Sequence, residues 1–211
     1  PPGVEARGAD DRLVSELGMT RETVRVVTPF VGGGFGGKTL VEQAVEAAKL
    51  ARLTGRPVMV VWTREEEFYY DNFHTANVIR ITSGIDASGM IQLWDYHVWF
   101  GGTRGADTIY HVPHARTTSY SLRKNAKPVH PFATGPWRAP NANSNTFARE
   151  TQIDIMACKA GMDPLDFRLK NLKDEKMIGC LKAVADLFGY VPGKTPGGRG
   201  IGVACGTDAG T

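Results

Sequence analysis

Five glycines fall within six positions, Gly32-Gly33-Gly34-Phe35-Gly36-Gly37, directly ahead of an alanine-rich amphipathic stretch from Lys38 to Leu53. Glycine has no Cβ, so a run of this kind lets backbone N–H groups close on an anion where a helix begins. Upstream, Thr23 to Thr28 alternates with Val24 and Val26 on one face. Downstream, Gly55-Arg56-Pro57 breaks the helix and Val58 to Trp62 is a continuous apolar run. The pattern predicts strand, glycine loop, helix and buried strand, a β-α-β unit.

Taken alone, the loop satisfies two nucleotide motifs. Gly32-x-x-x-x-Gly37-Lys38-Thr39 has the spacing of a phosphate-binding loop, with Lys38 on the outer phosphates and Thr39 on magnesium. Gly32-x-Gly34-x-x-Gly37 has the spacing of a dinucleotide fingerprint, although its acidic partner, Glu65, stands 28 positions beyond Gly37. No later apolar run ends in a magnesium-binding aspartate, since Asp95 lies inside a strand pattern, and the hairpin that follows breaks the expected alternation of strands and helices. A loop that only packs its helix against a sheet is the third reading.

Elsewhere the periodicities are plainer. Leu13, Val14 and Leu17 share a helical face between Asp11 and Met19, and Gly18 ends it. Segments 74 to 85 and 90 to 100 flank Asp86-Ala87-Ser88-Gly89, which predicts an antiparallel hairpin with Trp94 and Trp99 on opposite faces. Residues 101 to 142 are rich in Gly and Pro and read as irregular, site-forming chain, with a junction between two lobes near residue 100. Helical spacing resumes from Ser144 to Lys159. Asp163-Pro164 caps a helix over Leu165 to Leu172, and a further helix covers Lys176 to Phe188. A linker at 193 to 200 leads to an expected strand, Ile201 to Cys205.

Composition narrows the function classes. The 211 residues are 42% hydrophobic and 22% charged, enough to bury a core in one domain or two small lobes. A net charge of +3 without long like-charge runs argues against a nucleic-acid or acidic-lipid surface. No stretch nears the roughly 18 apolar residues of a spanning helix, and Pro1-Pro2-Gly3 reads as the start of a cut piece, with neither an initiator Met nor a signal peptide. Cys158, Cys180 and Cys205 are too widely spaced for a zinc or iron–sulfur ligand set, so they read as reduced thiols and any such cluster must sit on another segment. Pro113 between His111 and His114 rules out a helical metal pair.

Phe30-Val31-Gly32-Gly33-Gly34-Phe35-Gly36-Gly37-Lys38, after Glu22-Thr23-Val24-Arg25-Val26, resembles the glycine loop that molybdenum hydroxylases place beside molybdopterin. Further landmarks follow in order: Trp62-Thr63-Arg64-Glu65-Glu66, the hairpin with Gly89 at its turn, and Tyr110-His111-Val112-Pro113-His114-Ala115-Arg116. Trp137-Arg138-Ala139-Pro140-Asn141 is similar to the family's arginine-containing loop at the metal. Ala160-Gly161-Met162-Asp163-Pro164-Leu165-Asp166-Phe167-Arg168-Leu169-Lys170-Asn171-Leu172 is similar to a phrase that follows it. The resemblance spans the chain and is to the large subunit of the xanthine oxidase and aldehyde oxidase family, nearest its bacterial isoquinoline 1-oxidoreductase and aldehyde dehydrogenase-type branch.

The resemblance implies an α+β fold, with a mixed, partly antiparallel sheet and flanking helices, that forms a molybdenum cofactor-binding domain. Residues 1 to 192 would be the first molybdopterin-binding domain, and 193 to 211 a linker and first strand of a truncated second one. The implied activity is hydroxylation of an aldehyde or aromatic N-heterocycle with oxygen from water. Molybdopterin would carry the molybdenum, in the cytosine dinucleotide form, with [2Fe–2S] clusters on another domain or subunit. Implied partners are that iron–sulfur part, a FAD subunit, the remaining C-terminal part of the large subunit and a small-molecule substrate, in the cytoplasm or in the periplasm through a partner's signal.

Gly33, Gly34, Phe35, Gly36, Arg138 and Ala139 match positions at the cofactor, and Thr39 and Pro140 match positions facing substrate. Thr39 stands where purine-oxidising members have an acid, and Pro140 where they have a stacking aromatic, so purine binding is not expected. The family's general base is a glutamate in the remaining part of the subunit, so no acid here is assigned catalysis. Glu65, Glu66 and Glu67 read as a helix-start cluster. The readings left open are a phosphate-loop nucleotidase and a binding or assembly module without chemistry.

Overall fold

A computed structural model describes residues 4–27, 29–30, 32–39, 41–120, 134–193 and 197–207. The expected chain start at 1–3, the loop position Val31 and linker positions 194–196 lie outside the described residues. The chain divides into two units: Pro1–His74 with Pro131–Pro140, and Thr75–His130 with Asn141–Thr211. The division falls after His74 rather than near residue 100.

Unit 1 contains α1 (Val4–Leu17), α2 (Glu42–Thr54) and α3 (Arg64–Tyr70). Helices α1 and α2 bury Leu13 and Val45, and Arg12 of α1 reaches Glu42 at 2.9 and 3.1 Å. Gly55, at φ 66°, closes α2 in the left-handed conformation that glycine tolerates best. Thr63 and Glu66 form a reciprocal capping box on α3, so the acidic cluster does open a helix.

The two strands expected in this unit do not form. Val24 has extended backbone angles, but neither 24–27 nor Val58–Trp62 belongs to a strand, and Val27, Met59 and Val61 are exposed. A strand requires a neighbour to satisfy its N–H and C=O groups, and apart from the isolated Phe73–Thr134 bridge the described residues of this unit offer none. Propensity without a partner leaves the apolar run at the surface.

Unit 2 is the α+β part. Strands β1 (Val78–Ile85), β2 (Ile91–Trp99) and β3 (His114–Tyr120) form a sheet in that order, β1 antiparallel and β3 parallel to β2. The helices are α4 (Ala142–Lys159), α5 (Pro164–Asn171) and α6 (Glu175–Phe188). The expected hairpin is present: Asp86 Oδ1 accepts from the Ser88 N–H and hydroxyl and from the Met90 N–H, and Gly89 takes φ 83°. Strand β3 lies inside the stretch read as irregular. Its Thr117, Thr118 and Tyr120 favour a strand, but the surrounding Gly and Pro hide the signal and its partner is remote in sequence.

Trp94, Tyr96 and Val98 point into the core, where Ile153, Met156 and Ala157 of α4 and Phe167 of α5 meet them. Burying each such large apolar side chain stabilises the unit by roughly 1.5–3 kcal/mol. Trp99 lies on the other face, stacked on Tyr120 at 4.7 Å, as the five-residue spacing requires. There Arg116 grips Asp95 at 2.7 and 2.8 Å and pulls its carboxyl down to about 2.

Asp163 caps α5 ahead of Pro164, as the sequence pattern predicts. At the other end of α5, buried Asn171 ties the hairpin down. Its Oδ1 accepts from Ile91 N–H at 2.8 Å, and its Nδ2 donates to the Gly89 and Phe167 carbonyls. Asn171→Leu is expected to destabilise unit 2 by about 2–4 kcal/mol, because an N–H and a carbonyl stay buried without partners. A urea midpoint unchanged from wild type would refute this.

Ile201–Cys205 is not a strand either; it keeps the alternation of one without a ladder. No helix among the described residues is long and apolar enough to cross a membrane.

Candidate functional site

The glycine loop of unit 1 meets a second segment, 134–138, that is remote in sequence. Thr134 bridges to Phe73 in parallel, Gly135 N–H donates to the Phe73 carbonyl at 3.1 Å, and the Trp137 indole N–H donates to the Asn72 carbonyl. These bonds fix the backbone of 134–137 beside the end of α3. Gly36 then seats against it: a Cβ there would stand 1.9 Å from the Pro136 carbonyl oxygen and 2.6 Å from Trp137 Cα. Only glycine allows this approach of two backbones.

Backbone strain gathers at the same place. Phe35 has φ 51° and Ala139 φ 54°, two of the four non-glycine residues with positive φ among the described residues, and Gly36 has φ 103°. Strain of this type costs of order 1–3 kcal/mol per residue and concentrates at ligand-binding sites. The Arg138 guanidinium lies 4.8 Å from the centre of the Phe35 ring, a cation–π contact. The loop itself turns through the Gly37 N–H to Gly34 carbonyl bond at 3.0 Å, and a Cβ on Gly34 would press the Lys38 stem at 3.1 Å.

Beside these residues is a cavity of about 740 Å³ lined by Gly34, Phe35, Gly37, Lys38, Gln43, Arg64, Glu67, Asp71, Trp137 and Arg138. Its cations are Lys38, Arg64 and Arg138, and its acids Glu67 and Asp71. Arg64 is paired with Glu67, whereas Lys38 and Arg138 are in no ion pair among the described residues. The cavity therefore presents two cations without a carboxylate partner among the described residues and a backbone-lined wall, a setting for an anionic ligand.

The sequence-predicted residues Gly34, Phe35, Gly36 and Arg138 come together here. Gly33 lies against the Phe35 ring, and Ala139 and Pro140 follow Arg138 in the same unit. Thr39 ends a short 3-10 turn, Gly37–Thr39. Asp71, Asn72, Gln43 and Gly135 are not marked by any motif, because their only signal is proximity created by folding. The Asn72 side chain is buried against Gly135, and its Nδ2 has no acceptor among the described residues.

Neither nucleotide motif acquires its geometry. Among the described residues no strand precedes the loop, Lys38 and Thr39 lie in the 3-10 turn, and α2 starts only at Glu42, with an acid where a phosphate would sit. Glu65 is in the first turn of α3 rather than at a strand end. No group of three potential metal ligands is found among the described residues, and all three cysteines are free thiols. Burial pushes the Cys205 thiol up.

The chain is similar to known proteins in sequence and in fold. The profile of the molybdopterin cofactor-binding domain family matches residues 8–108 and 101–172. The chain is 30% identical to the aldehyde oxidoreductase molybdenum-binding subunit PaoC of Escherichia coli strain K12, over 92% of this chain and 30% of that one. With a nicotinate dehydrogenase subunit of Pseudomonas putida the identity is 27%, over 85% of this chain and 17% of that one. In fold it is similar to the aldehyde oxidoreductase of Desulfovibrio gigas, with a TM-score of 0.69 at 22% identity, over 84% of this chain and 22% of that one. For quinoline 2-oxidoreductase of Pseudomonas putida 86 the TM-score is 0.70 at 17% identity, over 87% and 27%. The chain spans less than a third of the length of these curated relatives. Matched over most of its length by the family profile, it belongs to the molybdopterin cofactor-binding domain family.

Proposed function

We propose that the chain is part of the molybdopterin-binding subunit of a molybdenum hydroxylase that oxidises an aldehyde or an aromatic N-heterocycle with water as the oxygen source. The observation that carries this reading is the seat of Gly36 on Pro136 and Trp137, which joins the strained Phe35 and Arg138 beside one cavity. When bound, the molybdenum–pterin group supplies the two-electron redox chemistry. The residues fit such a group: the Gly34–Gly36 backbone lets a flat ligand approach closely, and Lys38 and Arg138 suit its anionic phosphate arm. Phe35, with Arg138 over its ring, holds the wall in place.

Thr39 and Pro140 stand on the substrate side in this reading. Lacking an acid and an aromatic there, the site favours aldehydes and small heterocycles over purines; the relatives are named for aldehyde, nicotinate and isoquinoline, and also for xanthine, so this preference rests on Thr39 and Pro140. The cofactor carries the cytosine dinucleotide extension, electrons leave through [2Fe–2S] clusters on another domain or subunit, and a FAD subunit completes the chain of acceptors. The complete enzyme works in the cytoplasm, or in the periplasm through a partner's signal.

The test is metal and pterin analysis of the complete subunit from its native host, beside a nucleotide-binding assay on this chain. Molybdenum with a released pterin is the expected result. Tight magnesium–ATP binding without molybdenum would overturn it.

A further inference from the structure

Residues 201–207 lie within unit 2 without a strand partner. Ile201 and Val203 are half-buried and Cys205 is buried, while Gly202 and Ala204 are exposed, the alternation of a strand on a packed face. The groups that satisfy it are side chains of α4. Glu150 Oε2 accepts from the Cys205 N–H at 2.9 Å, and Arg149 Nη2 donates to the Cys205 carbonyl at 3.1 Å. The N–H and the carbonyl of one residue are both read, as a neighbouring strand would read them. Val203 and Cys205 join the core cluster, and a Cβ on Gly206 would lie 3.3 Å from Thr146 Cγ2, so the chain runs tightly along the helix.

The dependence is mutual. Arg149 and Glu150 are 1% and 4% exposed, so removing 201–207 would leave a guanidinium N–H and a carboxylate oxygen short of partners in the interior. We propose that residues 201–207 are a closing strap of unit 2, seated through the Cys205 backbone in an Arg149–Glu150 clamp, and that the α4 face is incomplete without them. The groove takes one extended segment with a small inward side chain, and residue 205 supplies it. This goes beyond the cofactor reading and stands independently of it.

Hydrogen exchange on four chains tests it: wild type, a chain ending at Gly200, Cys205→Pro, which removes the clamped N–H, and Cys205→Ala, which keeps it. In the truncated and Cys205→Pro chains, α4 amides from Asn145 to Ile153 are expected to lose protection roughly 100-fold, while α1 and α2 are unchanged. The Cys205→Ala chain should stay within about threefold of wild type. A peptide of residues 199–207 should restore protection to the truncated chain in proportion to its concentration, and the same peptide with Cys205→Pro should not. A truncated chain that fails to fold while Cys205→Ala folds is the same result in extreme form. Wild-type protection in both the truncated and the Cys205→Pro chains would overturn the strap.

Discussion

Replacing Glu150 with alanine is expected to destabilise unit 2 by about 3–5 kcal/mol, enough to unfold a domain of ordinary stability near room temperature. The carboxylate accepts from Tyr110 Oη at 2.9 Å, Arg149 Nε at 3.1 Å, Arg168 Nε at 3.0 Å and the Cys205 N–H at 2.9 Å. Arg149 and Arg168 are 1% and 0% exposed, so the alanine variant keeps two guanidinium groups in the interior with their main counter-ion gone. Asp154, half-exposed, still pairs with Arg168 at 2.7 Å but leaves Arg149 without a carboxylate. Burial already holds the Tyr110 hydroxyl well above its usual range, so that group cannot ionise to compensate. Urea denaturation followed by near-ultraviolet circular dichroism reads the effect. A midpoint within experimental error of wild type would mean that the cluster contributes nothing net.

The second large effect is expected at Gly36. A Cβ there would overlap the Pro136 carbonyl, and the backbone sits at φ 103°, where an L side chain is strained. Gly36→Ala therefore has to separate the glycine loop from 136–138. Molybdenum per complete subunit should fall roughly 50-fold, corresponding to a strain of a few kcal/mol. In the 211-residue chain the same variant should raise exchange at the Gly135 amide and shift Trp137 fluorescence, since pushing 136–138 away from Gly36 strains the bonds that hold that segment to Phe73 and Asn72. Gly32→Ala is the control, because a Cβ there meets nothing within 4 Å. If Gly36→Ala loosens the loop yet molybdenum stays, the cofactor lies elsewhere. If neither changes, the contact is not present in solution.

Legibility in the sequence followed the range of the interaction. The hairpin at 86–89, the Asp163-Pro164 start of α5 and the acidic helix start at Glu65–Glu67 were readable because the partners of such turns and caps lie within four residues. Strand β3 was not, because its ladder is with β2, some 21 residues earlier at Asp95 and Arg116. The expected strands at Thr23–Thr28 and Val58–Trp62 failed for the converse reason: composition favoured them, but no neighbouring chain pairs with their described residues. Within the site, the glycine run and Trp137-Arg138 were recognisable as words, while Asp71, Asn72 and Gly135 carried no mark at all.

The sequence by itself determined the helices, the hairpin, and the family, because capping, turn chemistry and an ordered set of short motifs are local properties. Only the tertiary structure decided that Gly36 would meet the remote Pro136, that Arg149, Glu150 and Arg168 would share one buried cluster, and that Ile201–Cys205 would pair with side chains instead of a strand. The physical reason is the same in each case. A backbone seat, a buried charge or an extended segment is stable only when its partner is delivered by the rest of the fold, and no window of sequence contains both sides of the contact.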